Sequence, residues 1–561
     1  MPVSGEIAEP PDPKEESLPI GGTPDLSTAY FTYAGTLGLP EDAARAPHST
    51  GGAAWGFYEY RNGVLSEAGV LPDGSVNQYG AVPAAIAPEQ GSTRGPVPDQ
   101  FDNEVSSDGS RVFLVSPDPR SSLASPNHNC SLGCTDEPPQ LYVRQSAPDG
   151  SQTTTLVSQS QLAGQLGQPA PDGPVALYGT PPTEGSYGGR YSSYVFASSD
   201  GSHAFFASTD QLTESAPADS TVKEYDFDVN TGLLTYLPGV TGSIAAVAGD
   251  GSSLVFENIA SSPFELDRWV AGPGGGVVTP IVQLPEPERC HWVCVGPAHI
   301  SADGSVIVFE TNSRIPGFND GGFMQVFRYD AASNELACAS CPPTGVAPSG
   351  NAVMSNLSYQ GVSSSSGNDL KNGVVDTRGM SSDGARIFFD TPDPLVPQDA
   401  NGKVIELGGE FYKVGRDVYE WENGNVFLIS SATSGKDSLY LDSSPNGDDV
   451  FFATDVGLVP GDTEGGFDVY DARSPHPGDN PPPSAVPCQG EVCQGPPSVP
   501  SLLGEPSSAT FDGLGNVVQS SESKPVVKKK AVAKKKKTKA RKKRGKRARK
   551  ASERGGKGGR R

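Results

Sequence analysis

Residues 301–309 read SADGSVIVF and residues 381–389 read SSDGARIFF. The shared phrase is a serine, then Asp-Gly two residues on, then a short run of β-branched and aromatic side chains closing on phenylalanine. It recurs through the chain, with turn residues Asp108, Asp200, Asp250, Asp303, Asp383 and Asn446. A degenerate seventh copy turns at Asp25, where Leu26 stands in place of the glycine.

Asp-Gly and Asn-Gly favour the positive φ angles of a two-residue hairpin turn, and the run that follows has strand composition. Four residues after the turn residue stand Ala29, Val112, Ala204, Leu254, Ile307, Ile387 and Val450. Six residues after it stand Phe31, Leu114, Phe206, Phe256, Phe309, Phe389 and Phe452. The position between them is apolar as well (Tyr30, Phe113, Phe205, Val255, Val308, Phe388, Phe451), so both faces of the strand need cover. A strand buried on both faces belongs to a sheet packed between two others. A second strand follows each copy, as in Val418-Tyr419-Glu420-Trp421, and after a turn such as Asn423-Gly424 comes a third. With the strand before the Asp-Gly turn, each repeat makes a four-stranded antiparallel meander. The spacing of the glycines runs from 50 to 92 residues. A value near 50 suits one blade, and longer spacings require insertions. The expected fold is all-β: a propeller of about seven four-stranded blades over residues 20–475. A linear solenoid is the structural rival, but its repeats are usually shorter.

The Ser-x-Asp-Gly-x-x-(Val/Ile)-Phe strand followed by Asp-Val-Tyr resembles the WD40-like repeat of TolB-type bacterial propellers. The stretch from Gly461 to Tyr470, GDTEGGFDVY, is particularly similar. The resemblance implies a periplasmic or surface-facing propeller with protein-binding or envelope roles, and no activity. Long insertions, paired cysteines and a basic tail depart from that family, so the partners of TolB are not carried over.

The net charge of −24 averages two different polymers. Residues 524–561 hold 21 Lys and Arg against one acid, Glu553, whereas the remaining 523 residues carry −44. The tail has no apolar periodicity and reads as a disordered extension. Lys528, Lys529, Lys530, Lys534, Lys535, Lys536, Lys537, Arg541, Lys542, Lys543 and Arg544 are its polyanion-binding candidates. Their partner would be a cell-wall polymer, nucleic acid or an anionic lipid surface. With no aromatic residue from Lys524 onward, the tail cannot stack on bases, which argues against sequence-specific reading. Residues 476–523 form a Pro-, Gly- and Ser-rich linker, and residues 1–19 a disordered start. Ser158–Arg190 and Gly345–Lys371 read as insertions looping from one rim of the disc. The last blade lacks an outer strand in sequence; the segment before Thr28 or a strand near Ala509–Val518 would complete it.

Eight cysteines fall into four close pairs: Cys130 with Cys134, Cys290 with Cys294, Cys338 with Cys341, and Cys488 with Cys493. Local disulfides are the leading reading; zinc would need pairs from separate blades to converge. Disulfides imply an oxidising compartment. No apolar leader or membrane-length apolar run is present, so the expectation is an extracellular or envelope protein whose leader lies outside these residues.

No G-x-S-x-G elbow and no phosphate-binding loop occurs. Asp226-x-Asp228-x-Asn230 is better read as strand and turn than as a calcium loop. Asp462 and Asp468 make the better calcium candidate, with loop capping as the alternative. No other cofactor is expected. The expected function is a monomeric, non-catalytic propeller that binds a protein or glycan through rim loops or its central channel and is anchored by its tail. The runner-up is a hydrolase or lyase with a channel-centred active site.

Overall fold

In the computed structural model the described residues are 17–33, 36–44, 56–84, 103–117, 138–175, 194–258, 260–285, 295–354, 377–399, 403–407, 410–431, 435–459, 462 and 466–474. Among them, seven antiparallel sheets of three or more strands follow one another in chain order, one for each copy of the repeat. We number them blades 1 to 7. Blade 4 shows the plan: Gly242–Val247, Ser253–Asn258, Phe264–Val270 and Val277–Leu284 pair in sequence order. Blades 1, 2 and 5 repeat it. In blade 3 the strand Pro174–Val175 joins as a fifth. Blade 6 keeps Arg386–Thr391, Asp417–Glu422 and Asn425–Leu428, with single bridges in place of its first strand. Blade 7 holds Ser438–Ser443, Asp449–Thr454 and Asp468–Arg473. A two-stranded hairpin, Lys403–Leu407 with Glu410–Val414, is inserted in blade 6. The segment Ser17–Gly22 is the first strand of blade 1, not a supplement to blade 7. The alternative at Ala509–Val518, the linker, the basic tail and residues 1–16 lie outside the described residues.

The Asp-Gly turn differs from the two-residue turn expected. The glycine amide bonds to the carbonyl three residues back, as Gly304 does to Ser301 at 2.8 Å. In the six glycine copies only the glycine has positive φ, from 65° to 74°. The aspartate stays in the ordinary region because its carboxylate is occupied. Asp303 Oδ1 accepts the Ser305 amide at 3.0 Å and the Ser301 hydroxyl at 2.7 Å, and Ser301 Oγ accepts the Val306 amide at 2.9 Å. Thr23, Ser106, Ser198, Ser381 and Ser444 take the serine role in blades 1, 2, 3, 6 and 7. Blade 4 has Ala248 there. A true two-residue mirror-image turn occurs instead between third and fourth strands, at Asn62-Gly63 (φ 49° and 87°) and Asn423-Gly424 (49° and 80°).

Counting from the turn residue, positions +4 and +6 face the preceding blade, and +3 and +5 the following one. Thus Val306 and Val308 of blade 5 pack with Ile387 and Phe389 of blade 6. Phe205 of blade 3 packs with Leu254 and Phe256 of blade 4, and Phe388 of blade 6 with Val450 and Phe452 of blade 7. This is the two-sided burial the sequence required.

The glycine has a second task. A Cβ on Gly109, Gly201, Gly251, Gly304, Gly384 or Gly447 would lie 2.2–3.0 Å from an atom of the preceding blade's turn or second strand. The atoms met include Arg111 Cδ, His203 Cβ, Ser253 Oγ and Val306 Cβ, all from +3 residues. Each turn therefore seats on the blade before it. Backbone bonds fasten the seats: Ser107 N to Ser199 O at 2.7 Å, Asp200 N to Gly249 O at 3.2 Å, Ala302 N to Ser382 O at 2.9 Å and Ser382 N to Pro445 O at 2.7 Å. In blade 1 the glycine position is Leu26, at φ 56° and 74% exposed.

Candidate functional site on the innermost strands

In a propeller the first strand of each blade lies nearest the axis, and here the first strands of blades 3, 4 and 5 pack against one another in turn. Three of the seven first strands are interrupted. In blade 2, Val82–Pro83 pairs with Val115 and Leu114, and the strand position resumes at the Val105–Val112 bridge; residues 85–102 lie between. In blade 3, Pro174–Val175 pairs with Ser208 and Ala207, and Phe196–Ala197 with Phe205 and Ala204, with residues 176–193 between. In blade 6, Val353 bridges Asp390 and Met380 bridges Ile387, with residues 355–376 between. Each of these segments thus leaves and rejoins the described structure within an innermost strand.

Their roots are tied down. The Tyr194 amide donates to Ala84 O at 2.9 Å, joining the exit of the first insertion to the return of the second. Asn103 Nδ2 donates to Ala197 O at 3.0 Å. The Thr377 hydroxyl donates to Met354 O at 2.9 Å across the third. Val353 and Asp390 exchange both backbone bonds, at 2.9 and 3.0 Å. A loop held at both ends by a rigid sheet is the usual carrier of recognition.

On the turn side of blade 2, Ser110, Arg111, Gln145, Ser146, Ala147, Ser151 and Thr153 enclose a hollow of about 240 Å³. Arg111 Nη2 is held by Asn230 Oδ1 of blade 3 at 2.5 Å. Hydroxyls, an amide and one guanidinium make a polar recess with no nucleophile–base pair among its lining residues.

The turn carboxylates are structural. The Ser305 hydroxyl, the Ser301 hydroxyl and the Ser305 amide hold Asp303 down at about 2. The Thr23 hydroxyl and the Ser27 amide do the same for Asp25, also at about 2. His203 Nδ1 lies 2.9 Å from Asp226 Oδ1, and that hydrogen bond raises the imidazole above its ordinary value. Glu224 is different. The position it occupies, opposite +7 on the third strand, is Phe57, Leu141, Leu266, Val326 and Val418 in other blades. Its carboxyl is buried, Oε2 has no hydrogen-bond partner among the described residues, and burial pushes it up to about 8. Its neighbour Lys223 is buried too, with Nζ donating to the carbonyls of Thr209 (2.9 Å), Asp219 (2.5 Å) and Thr221 (2.7 Å). Neither residue stood out in the sequence.

No protein-family model matches the chain, and no curated protein matches it. Among solved structures, TolB from Acinetobacter baumannii is similar at 15% identity and a TM-score of 0.26, over 64% of this chain and 60% of that one. The β-propeller domain of the trilobed protease from Pyrococcus furiosus is similar at 9% identity and a TM-score of 0.33, over 78% of this chain and 89% of that one. A study of two prolyl endopeptidases gives 11% identity and a TM-score of 0.33, over 82% of this chain and 50% of that one. The chain therefore spans 60% of the TolB length and half of the endopeptidase length. These are likenesses of fold alone; the sheet order and the seven repeats carry the fold by themselves. In fold, the chain is a β-propeller.

Of the cysteines singled out from sequence, Cys338 and Cys341 form a disulfide with Cα atoms 5.5 Å apart. Cys130, Cys134, Cys290, Cys294, Cys488 and Cys493 lie outside the described residues, as do all eleven polyanion-binding candidates from Lys528 to Arg544. Both calcium candidates are among the described residues, and the loop residues 463–465 between them are not. Asp462 Oδ2 accepts the Tyr470 hydroxyl, and Asp468 pairs with Thr454 in a strand. The same device recurs where Asp42 accepts Tyr58 and Asp399 accepts Tyr419. Among the described residues no group of three or more His, Cys, Asp or Glu could hold a metal ion. Asp226 and Asp228 lie on a strand and Gly232 in the turn beyond it. No helix among the described residues is long and apolar enough to cross a membrane.

Proposed function

We propose that the chain is a non-catalytic, extracytoplasmic binding propeller: residues 85–102, 176–193 and 355–376 contact a protein or glycan over the channel, and residues 524–561 anchor it to an anionic polymer. The observation that carries this reading is the interruption of three innermost strands by insertions with hydrogen-bonded roots. Their sequences support it. Residues 176–193, ALYGTPPTEGSYGGRYSS, and 355–376, SNLSYQGVSSSSGNDLKNGVVD, combine tyrosine with serine, glycine and asparagine. Tyrosine supplies rigid contact area and the small polar residues supply adaptable hydrogen bonds. The Cys338–Cys341 disulfide supports an oxidising compartment.

The test uses the full chain, a chain ending at Ser523, and a chain with the three insertions replaced by short Gly-Ser linkers. Binding to purified cell-wall polysaccharide and to anionic vesicles is measured across a salt series. The full chain is expected to lose affinity by orders of magnitude between about 50 and 200 mM salt. Removal of residues 524–561 should abolish vesicle binding without moving the melting temperature, and loss of the insertions should abolish polysaccharide binding alone. Persistent vesicle binding by the truncated chain would overturn the anchor. Steady turnover of a peptide or glycoside substrate would replace the binding reading with the channel-centred hydrolase.

A further inference from the structure

Blade 7 ends the series with a surface that every earlier blade covers. The face carrying +3, +5 and the third-strand residue opposite +7 is sealed in blades 1 to 6 by the next blade. There that third-strand residue is Phe57, Leu141, Glu224, Leu266, Val326 or Val418, all buried. In blade 7 it is Val469, 65% exposed, beside Phe467, 45% exposed. Phe451, at +5, is only partly covered.

Blade 1 departs from the repeat at the turn that would meet this face. In blades 2 to 7 the turn glycine is seated against the preceding blade's turn or second strand, where a Cβ would come within 2.2–3.0 Å. Blade 1 presents Leu26 instead, and it is exposed.

The edge is open as well. Among the described residues the sheet stops at its third strand, Asp468–Arg473, where blades 1 to 5 continue to a fourth. An edge strand presents unpaired amides and carbonyls that an extended segment can complete. The sequence beyond it, with Pro475, Pro477, Pro481, Pro482 and Pro483, is ill suited to the hairpin return that supplies the fourth strand elsewhere.

Charge names the occupant. Residues 435–474 carry nine acids, among them Asp468 and Asp471 on the edge strand, against two bases, Lys436 and Arg473. Both bases are already paired, Lys436 with Asp455 and Arg473 with Asp449 and Asp471. We propose that the outer edge of blade 7 is an interaction surface for an extended, basic segment of a partner protein, which adds as the fourth strand beside Asp468–Arg473 and lays apolar side chains on Val469 and Phe467. This stands apart from the insertions over the channel, so either proposal can fail alone.

The experiment titrates the full chain with a fluorescent eight-residue peptide of alternating valine and lysine. Controls are a valine–glutamate peptide and the lysine peptide with a central proline. Saturable binding of the lysine peptide only is expected. The variant Asp468→Lys, on the face opposite Val469 that the lysines would share, should weaken it by about threefold or more, the order for one reversed cross-strand charge pair. Val469→Glu should also weaken it, with the melting temperature of each variant confirming that blade 7 is folded. Equal binding of the acidic or proline peptide, or unchanged affinity in folded variants, would overturn the proposal. So would a dimer lost on Val469→Glu, which would assign the edge to a second copy. Tighter peptide binding after removal of residues 524–561 would assign it to the chain itself and likewise overturn the partner.

Discussion

Replacing Gly384 by alanine separates the two tasks of the turn glycine, because Gly424 in the same blade performs only one of them. Both have positive φ, 72° and 80°. A Cβ at Gly424 meets nothing within 4 Å, whereas at Gly384 it would lie 2.6 Å from Val306 Cβ and 2.9 Å from both Val306 methyl groups. Val306 is buried, β-branched and fixed in the second strand of blade 5, so it cannot swing aside. The left-handed conformation costs alanine about 1–2 kcal/mol. Its stiffer unfolded chain returns about 0.5–1 kcal/mol of that. Gly424→Ala should therefore destabilise by roughly 1 kcal/mol or less. Gly384→Ala carries the same term plus an overpacking cost of about 1–3 kcal/mol, or roughly 2–4 kcal/mol in all. Trp421 belongs to the cluster joining blades 5 and 6, so its fluorescence during urea unfolding reports on this interface. Variants of equal stability within about 0.5 kcal/mol, beyond the scatter expected for distant sites, would refute the seating of turn on blade. Leu26→Gly is the mirror experiment: it should stabilise by about 0.5–1 kcal/mol, because it removes strain where no contact is lost.

Three further outcomes follow from single side chains. Glu224 holds its proton up to about pH 8 when folded and releases it near the ordinary carboxyl value when unfolded. Stability should then fall as pH rises through that window, by up to about 1.4 kcal/mol per pH unit. Glu224→Gln should flatten the fall, as melting temperatures at the two ends of the window would show; an unchanged slope would contradict the assignment. Ala248→Ser supplies the hydroxyl that six other turns possess, and a gain of about 0.5–1 kcal/mol by urea unfolding is expected. Lys223→Met removes a buried ammonium from three carbonyls that belong to exposed or half-buried residues and can turn to water, and should cost about 1–3 kcal/mol, measured by the same unfolding curves.

The repeat made the blades legible because its signal is local. Asp-Gly, two apolar faces and an aromatic at +6 sit within seven residues, so periodicity alone reports sheets stacked on both sides. What stayed hidden depends on contacts between distant residues. The seat of Gly251 on His203 joins positions 48 apart, and nothing in the glycine itself distinguishes it from Gly232, which meets open space. Innermost strands escaped notice where they shrink to two residues, as at Val82–Pro83 and Phe196–Ala197, too short to show alternation. Two insertions were visible as broken spacing, at Ser158–Arg190 and Gly345–Lys371, but neither their roots nor the break at residues 85–102 was. The acids around Asp462 were legible as a charged loop, but the tyrosine that bonds one of them was not. Tyr470 lies eight residues on, Tyr58 sixteen beyond Asp42, and Tyr419 twenty beyond Asp399, so no fixed spacing advertises the tyrosine pairing. Lys223 and Glu224 look like an ordinary solvated pair on paper; only the cover of neighbouring strands makes them unusual.

The seating of each turn on the blade before it gives the disc a direction. Every blade from the second onward carries its own plug and leaves a socket at +3 for its successor. A segment cut from one glycine turn to the next is therefore a complete module, able to be duplicated or removed between its neighbours without redesign of either. The first blade is the exception, since it carries Leu26 where the others carry the glycine plug. A circularly permuted chain that placed blade 1 after blade 7 would present Leu26 to the socket at Asp449, and would need glycine there before the new junction could close.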